Sequence, residues 1–247
     1  MEVTALIARS AARSINPPLR GARRCLSGAG TELFPVQVEL ALRRTAESGW
    51  RLDDDDDYCR RCGASIGPHA SMPDGCARCV ARGLRWNRLV RLGPYRQPLS
   101  RWILDLKFAG SWCWATWMGR HLGRLVIDTP RGRRTVVCPV PIPWQRQIRR
   151  GYNQSALIAD AFAARCEWPV VPLLLRTRYA PPQSALAASL RTRNVRRSFA
   201  VRGMDLSGWD VWLVDDVKTT GSTLSACAKL LKRAGVARIN VAVAAVA

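Results

Sequence analysis

Lysine, histidine and acidic residues are scarce in this sequence, whereas arginine is abundant. The 247 residues include 39 Lys and Arg, of which four are lysines (Lys107, Lys218, Lys229 and Lys232), against 18 Asp and Glu and two His. The resulting formal net charge of +21 permits attraction to nucleic acid, phosphorylated ligands or acidic membrane surfaces. An arginine bias can also reflect genomic base composition, so the charge by itself does not establish nucleic-acid binding.

Long apolar runs are also missing. No apolar run approaches the roughly 18 residues that a membrane-spanning helix needs, so the sequence predicts no membrane span. The G-x-x-x-x-G-K-[ST] spacing of a Walker A loop is absent, which excludes that kind of phosphate-binding loop. Hydrophobic residues make up 48% of the chain, and its length suffices for one α/β domain with a smaller module.

The first part of the chain shows little pattern. The stretch "ARSAARSINPPLRGARRCLSG" is rich in Arg and Ser, poor in acids, and faintly like a transit peptide. A disordered or mis-started N-terminus is the interpretation that its composition favours. A short helix fits 36–52, and Asp53–Asp57 is typical of a solvated linker. We therefore expect residues 1–57 to form a poorly ordered segment.

Four of the nine cysteines form a pattern typical of a metal site. Cys59, Cys62, Cys76 and Cys79 give C-x2-C, thirteen residues, and C-x2-C, and two such tight turns complete a tetrahedron around structural zinc. Redox-active or disulfide-bonded pairs are the alternative, and His69 is a rival ligand. Most of the other cysteines lie in apolar segments, which favours a reducing, cytoplasmic location. The spacing predicts a zinc knuckle over 58–84.

The remainder, 85–247, alternates between strand and helix patterns. Buried strands are predicted at 211–214, 135–141 and 239–247. From about residue 85 the pattern is helical, with helices predicted at 100–110 (capped by Ser100), 112–127, 155–166 (capped by Ser155 or Asn153) and 224–234. The aromatic residues of the second helix favour packing over base stacking. Alternation of strands and helices predicts an α/β fold with a parallel sheet flanked by helices.

The stretch "VWLVDDVKTTGST", 211–223, places two acids and a hydroxyl-rich turn between a strand and a helix, where open α/β sheets bind ligands. Backbone amides at the helix start, together with threonine and serine hydroxyls, suit a monophosphate. The residues of this cradle are Lys218, Thr219, Thr220, Gly221, Ser222 and Thr223. Asp215 and Asp216 can accept hydrogen bonds from sugar hydroxyls, so the segment suits a ribose 5-phosphate. A chance strand-turn-helix is the alternative.

This segment resembles the phosphoribosyl pyrophosphate (PRPP) signature of type I phosphoribosyltransferases. The stretches "VCPVPIPWQRQIRRGYNQSALIADAFA", 137–163, and "RTRYAPPQSALAASLRTRNVRRSFAV", 176–201, narrow the resemblance to the ComF-like family of competence-associated relatives. Together with the cysteines and "LDLKFAG", the resemblance covers residues 58–247. A second cysteine pair, frequent near the N-terminus of that family, is not present after "LFP".

The resemblance implies a type I phosphoribosyltransferase-like domain that binds PRPP with Mg²⁺. Asp215 and Asp216 would hold the ribose hydroxyls, in part through Mg²⁺, while the cradle would hold the 5-phosphate. Arg146 and Arg150 would border the pyrophosphate. The basic stretch 176–202 is either a cover over pyrophosphate or a solvated face.

The function implied is transfer of phosphoribose to a nucleobase-like acceptor, linked to DNA uptake or nucleotide salvage. A non-catalytic PRPP sensor or an accessory protein that handles single-stranded DNA is the alternative, and a redox protein using its C-x-x-C pairs is a third. Single-stranded DNA and proteins of the competence machinery are the expected partners, and an oligomer is compatible with the sequence.

Overall fold

The computed structural model describes residues 30–54, 57–67, 70, 75–127, 134–177, 198–203 and 205–247. Several features singled out in the sequence lie outside these residues. They are the transit-peptide-like stretch, His69 and the greater part, 178–197, of the basic stretch.

Four parallel strands form the central sheet, namely β1 (Arg88–Pro94), β2 (Thr135–Pro139), β5 (Asp210–Lys218) and β6 (Arg238–Val246). Their order in the sheet is β1-β6-β5-β2. A separate antiparallel ribbon pairs β3 (Leu174–Arg176) with β4 (Phe199–Val201). Helices cover both faces of the sheet, which is why its central strands are nearly continuous apolar runs. The predicted α/β class with a parallel sheet is confirmed.

Strand β1 differs from the sequence prediction, which had placed a helical pattern from about residue 85. It pairs with β6 from Arg88↔Asn240 to Pro94↔Val246. Arginines at 88 and 91 interrupt its apolar run, so the period of a buried strand is obscured. Arg91 is nevertheless only 1% exposed, because Asp53 lies 2.6 Å from its guanidinium and balances the charge.

The helices form two layers. In chain order they are α1 (Gly30–Glu47), α2 (Leu99–Phe108), α3 (Cys113–Arg124), α4 (Trp144–Arg150), α5 (Gln154–Cys166) and α6 (Ser222–Arg233). Apolar residues of α2, α3 and α5 pack on one face of the sheet, and those of α6 and the β3–β4 ribbon pack on the other. The carboxyl ends of the parallel strands are thereby left at one edge, between the two layers.

Two predicted helix caps have different outcomes. The Asn153 side chain accepts a hydrogen bond from the Ser155 amide at 3.0 Å and also donates to the Val140 carbonyl, so Asn153 caps α5. Ser100 was wrongly predicted as the cap of α2, since that helix already begins at Leu99, after Pro98. Proline suits this position because its ring presets φ for a helix start.

Four tryptophans join the N-terminal part of the chain to the helical layer. Trp102 stacks on Trp114 with ring centroids 4.5 Å apart, and Trp50 contacts Trp102 and Trp117 at 5.5 and 5.4 Å. Within the segment 1–57, residues 30–47 form a helix, and Trp50 packs against the core. The division of the chain into three parts stays a prediction. The tryptophans of α3 contribute to packing.

Gly119 allows α3 and α5 to approach closely. A Cβ atom there would lie 2.5 Å from the Ile158 carbonyl oxygen and 2.8 Å from the Phe162 amide nitrogen, both main-chain atoms. We expect Gly119→Ala to lower the free energy of unfolding by about 2 kcal/mol, because overpacking exceeds the gain in helix propensity. Urea denaturation measures this change. Gly203→Ala, where a Cβ atom meets nothing within 4 Å, is the control and should stay within about 0.5 kcal/mol; equal midpoints for both variants would contradict the prediction.

Candidate functional site

Asp215 and Asp216 lie near the carboxyl end of β5, which continues through both acids to Lys218. The strand is therefore longer than the apolar run that predicted it, because pairing with β6 persists from Asp215↔Val243 to Lys218↔Val246. Successive side chains of a strand point to opposite faces, so the two acids meet different neighbours.

Asp215 is held by hydroxyl and amide donors. The Ser155 hydroxyl donates to its Oδ1 at 2.8 Å, and the Asp216 amide donates to the same oxygen at 2.9 Å. Burial, and next the adjacent Asp216 charge, raise the pKa of Asp215 well above its ordinary value. A cation or a hydrogen-bond donor from a ligand would stabilise its charged form.

Asp216 is paired with a lysine from another element. Lys107 Nζ, at the end of α2, lies 2.6 Å from Asp216 Oδ2, and both side chains are largely buried. Gln154 donates to the same oxygen at 3.4 Å, and the Val217 amide donates to Oδ1 at 2.8 Å. Sequence reasoning did not assign Lys107 to the site, although it lies in the "LDLKFAG" stretch used for the resemblance.

Replacement of Lys107 by an uncharged residue should destabilise the protein, because Asp216 would be buried without a cation. We expect Lys107→Met to lower the free energy of unfolding by about 3 kcal/mol in Mg²⁺-free buffer, since it leaves Asp216 charged, buried and without its cation. Chemical denaturation measures this. The double variant Lys107→Met with Asp216→Asn should recover most of the loss, because no unpaired charge remains. A double variant no more stable than the single one would show that the effect is packing.

Residues 219–221 connect β5 to α6, and they lie within the segment 218–223 that the sequence predicts as a phosphate cradle. Gly221 caps α6 with φ +78°, and a Cβ atom there would lie 3.2 Å from Lys218 Cε and 3.4 Å from Trp86 Cη2. The Ser222 amide donates to Thr220 Oγ1 at 3.3 Å. The first turn of α6 holds no acid and, like any helix start, presents amides without intrahelical partners. Such a terminus favours an anion.

Arg150 lies close to the acids through Gln154. Its guanidinium donates to Gln154 Oε1 at 3.0 Å and lies 4.9 Å from the centre of the Phe108 ring. Burial lowers the pKa of Arg150, while the charge of Asp216 opposes this shift. Arg146 is exposed on the same helix, α4. Both predicted arginines thus follow β2 in a helix that precedes α5, whose Gln154 and Ser155 contact the acids.

Arg176, at the end of β3, is a further basic residue near this group. Burial, and then the charge of Arg146, lower the pKa of Arg176, and Asp215 opposes the shift. The sequence had included it only as the first residue of the basic stretch.

The four predicted cysteines converge in one buried cluster. Their sulfur atoms lie within 4.8 Å of one another, and three pairs are 3.7, 3.7 and 3.9 Å apart. Zn–S bonds of about 2.3 Å in a tetrahedron require sulfur separations of about 3.8 Å, so the donor set fits a structural Zn²⁺ with no position for a substrate. These sulfur–sulfur distances are longer than the S–S bond of a disulfide, and all four cysteines are free thiols.

The charges within the cluster also favour a cation. Burial raises the pKa of Cys59, but hydrogen bonds from the Cys62, Arg61 and Cys76 backbone outweigh burial and lower that pKa to about 7. Burial and the neighbouring thiols raise the pKa of Cys79 to about 12. Without a cation, one deprotonated thiol hinders the deprotonation of its neighbours. A metal ion would stabilise all the thiolates at once.

Arg91 attaches the four-cysteine module to the sheet. Its guanidinium donates to the Gly63 carbonyl at 2.6 Å and to Ser65 Oγ at 2.9 Å, in addition to its ion pair with Asp53. Trp86 adds a second link by donating from Nε1 to the Arg61 carbonyl at 2.7 Å. The module is therefore fixed near the start of the cradle.

In architecture the molecule is an α/β protein with a parallel sheet. The carboxyl edge of the sheet carries paired acids and a helix start, and a small four-cysteine module is attached to the sheet beside them. Among the helices that the structure describes, none has the length and apolar character needed to cross a membrane.

Sequence similarity to two known proteins shows the family of this chain. The chain is 34% identical over 196 residues to the DNA utilization protein YhgH of Escherichia coli K12, covering 76% of this chain and 83% of the relative. It is 34% identical over 198 residues to competence protein F of Haemophilus influenzae, covering 74% and 82%. The chain belongs to the ComF-like family.

Two other matches cover a smaller part of this chain. An adenine phosphoribosyltransferase of Mycobacterium avium is 34% identical over 83 residues, which cover 34% of this chain and 46% of that protein. A solved hypoxanthine phosphoribosyltransferase of Staphylococcus aureus is 14% identical, with a TM-score of 0.36 over 52% of this chain and 61% of that one. No sequence model of a known protein family matches the chain.

Proposed function

We propose that this chain binds PRPP together with Mg²⁺ and transfers phosphoribose to an acceptor. The observation that carries the proposal is the position of the thirteen-residue segment 211–223, whose two acids and glycine-capped helix start lie at the carboxyl edge of a central strand. At this edge, one ligand can meet carboxylates that accept from hydroxyls and amides that bind a phosphate.

Each group of the site has a role in this proposal. Asp215 and Asp216 bind the ribose hydroxyls, and the backbone of Lys218–Thr223 binds the 5-phosphate. Arg146 and Arg150 bind the pyrophosphate through charge-assisted hydrogen bonds. Ser155 and Gln154 orient the acids, as their hydrogen bonds at 2.8 and 3.4 Å support.

A magnesium ion fits the chemistry of the acidic pair. Two neighbouring carboxylates supply the hard oxygen donors that Mg²⁺ prefers, and Lys107 balances only one of their charges. When bound, Mg²⁺ supplies positive charge that makes pyrophosphate a better leaving group. Asp215 and Asp216 are the residues that would hold it.

The transfer replaces one bond at C1 of the ribose by another. The bond between C1 and the pyrophosphate oxygen breaks, and its electron pair leaves with pyrophosphate. A nitrogen of the acceptor forms the new bond to C1 and loses its proton to solvent. The arginines of α4 stabilise the charge that accumulates on the departing anion.

Calorimetric titration with PRPP tests the proposal. The zinc-loaded protein should show saturable binding in Mg²⁺ and much weaker binding in its absence, because pyrophosphate is then less well neutralised. Release of pyrophosphate with a panel of nucleobases then tests turnover. A titration without binding heat under both conditions, supported by a second method, would contradict the PRPP site.

A second function, an accessory protein that handles single-stranded DNA, is favoured by the names of the relatives and by the net charge of +21. In this case the phosphate contacts should make binding of an oligonucleotide strongly salt-dependent, with a log-log slope of about −0.7 for each contacted phosphate. Fluorescence anisotropy between low and moderate salt measures the slope. An affinity that does not change with salt would contradict phosphate contacts.

A further inference from the structure

A cavity of about 620 Å³ lies between the four-cysteine module and the carboxyl ends of β1, β5 and β6. We call it the basic cavity and define it by Arg78, Arg82, Arg96 and Lys218. Its other walls include Tyr95 and the cradle residues Thr219 and Thr220. The volume is typical of a site for a small molecule.

Apart from Cys62 of the four-cysteine cluster, the charged side chains that line the basic cavity are basic. No side-chain carboxylate occurs among the described residues that line it. Arg91 also reaches the cavity, but its guanidinium is engaged by Asp53, Gly63 and Ser65. Within the described part of the chain, the four defining residues form no ion pair with a carboxylate, so their side chains can pair with an anionic ligand.

The position of the basic cavity separates it from the proposed pyrophosphate contacts. Arg146 and Arg150 follow β2, at one end of the strand order β1-β6-β5-β2, whereas the cavity borders β1 and β6 on the other side of β5. Among the residues of the proposed PRPP site, the cradle residues Lys218, Thr219 and Thr220 also line the basic cavity. A ligand in the cavity would therefore lie beside the cradle without occupying the region of α4.

The chemistry of the walls favours a nucleotide over a simple anion. Three arginines offer planar, multidentate donors that match phosphate oxygens. The half-buried Tyr95 offers an aromatic face on which a base can stack. The volume exceeds what a lone phosphate requires, so there is room for the sugar and base as well.

We propose that the basic cavity binds the phosphate of a nucleotide, either free or within a strand, and so places a phosphate-bearing acceptor beside the ribose in the cradle. The acceptor role rests on the proposed phosphoribosyl transfer, whereas binding in the cavity can be tested separately. Because a nucleotide phosphate can also enter the cradle, the test must keep the cradle filled.

The experiment titrates the zinc-loaded full chain with dAMP in the presence of saturating ribose 5-phosphate, which has no leaving group and cannot be transferred. We expect dAMP to bind about tenfold or more tightly than deoxyadenosine, because the phosphate supplies charge-assisted hydrogen bonds. The variant Arg82→Gln with Arg96→Gln should lose this preference and keep its affinity for PRPP. Arg120→Gln with Arg124→Gln removes the same charge from α3 and should change neither.

The source of the phosphate is distinguished with a 5′-phosphorylated dT8 oligonucleotide. Affinity about tenfold or more above that of dAMP, lost in the same cavity variant, identifies a strand, because several phosphates are then contacted. Equal affinities identify a free nucleotide. Either result supports the cavity as a nucleotide site.

Three results would overturn the inference: displacement of dAMP by ribose 5-phosphate, equal binding of dAMP and deoxyadenosine, or unchanged dAMP binding in the cavity variant. Failure of the proposed function has a different signature. In that case PRPP does not bind to the wild-type chain, whereas dAMP still binds and still depends on Arg82 and Arg96.

Discussion

The double variant Asp215→Asn with Asp216→Asn is expected to abolish Mg²⁺-dependent PRPP binding, with a loss of affinity of about a hundredfold or more. Asparagine keeps the shape of each side chain but removes the charge that attracts Mg²⁺ and strengthens hydrogen bonds from ribose hydroxyls. Calorimetry with PRPP in Mg²⁺ measures the loss. Circular dichroism and zinc content should remain those of the wild-type protein, because the cysteine cluster is separate from the acids.

Two controls make this result specific. Asp210→Asn changes a carboxylate at the opposite end of the same strand, where Asp210 lies 3.9 Å from Arg238, and it should leave PRPP binding intact. The triple variant that adds Lys107→Met avoids an unpaired buried lysine and should be as deficient as the double variant. Unchanged PRPP affinity in a folded double variant would refute the assignment of the two acids.

Replacement of a cysteine of the cluster is expected to have the other large effect. In Cys59→Ser the zinc content should fall from one equivalent to a small fraction, since structural zinc sites bind with about 10 kcal/mol or more and depend on the complete set of ligands. Elemental analysis measures zinc, and limited proteolysis should then cut within residues 58–84. The reason is that this module buries little besides its own cysteines and a few apolar neighbours.

Cys113→Ala provides the matched control, because Cys113 is a buried cysteine of α3 outside the cluster. It should retain one equivalent of zinc and the wild-type proteolysis pattern. A wild-type protein that contains no zinc and carries readily exchanged disulfides would contradict the metal assignment and support the redox alternative.

The predictions that rest on contiguous residues agree best with the structure. Cysteines two residues apart can share an ion within one turn, and the second pair repeats this geometry, so the spacing alone identified the cluster that the structure shows. The acids and helix start of 211–223 are likewise one uninterrupted segment, whose position between a strand and a helix agrees with the structure, while its binding roles stay predictions. The strands β2, β5 and β6 were recognised because strands buried on both faces are apolar throughout.

Strand β1 shows where local pattern fails. Its apolar run is broken by an arginine whose charge is balanced by Asp53, which lies outside the strand. The hydrophobic periodicity of a short segment contains no information about an ion-pair partner that lies far away in the sequence. The packing of Trp50 is equally hard to read from local pattern, since the tryptophans that Trp50 contacts follow it by more than fifty residues.

The sequence by itself determined the four-cysteine cluster, the acid pair and helix start of 211–223, and the α/β class, because each depends on residues that are neighbours in the chain. Only the tertiary structure decided that Lys107 and Gln154 meet Asp216, that Arg91 joins the module to the sheet, and that the basic cavity lies beside the cradle. The hydrogen bonds from Gln154 and Ser155 to the acids span 62 and 60 residues. The strand order brings such distant residues together, and that order is set by packing of the whole core, which no short segment encodes.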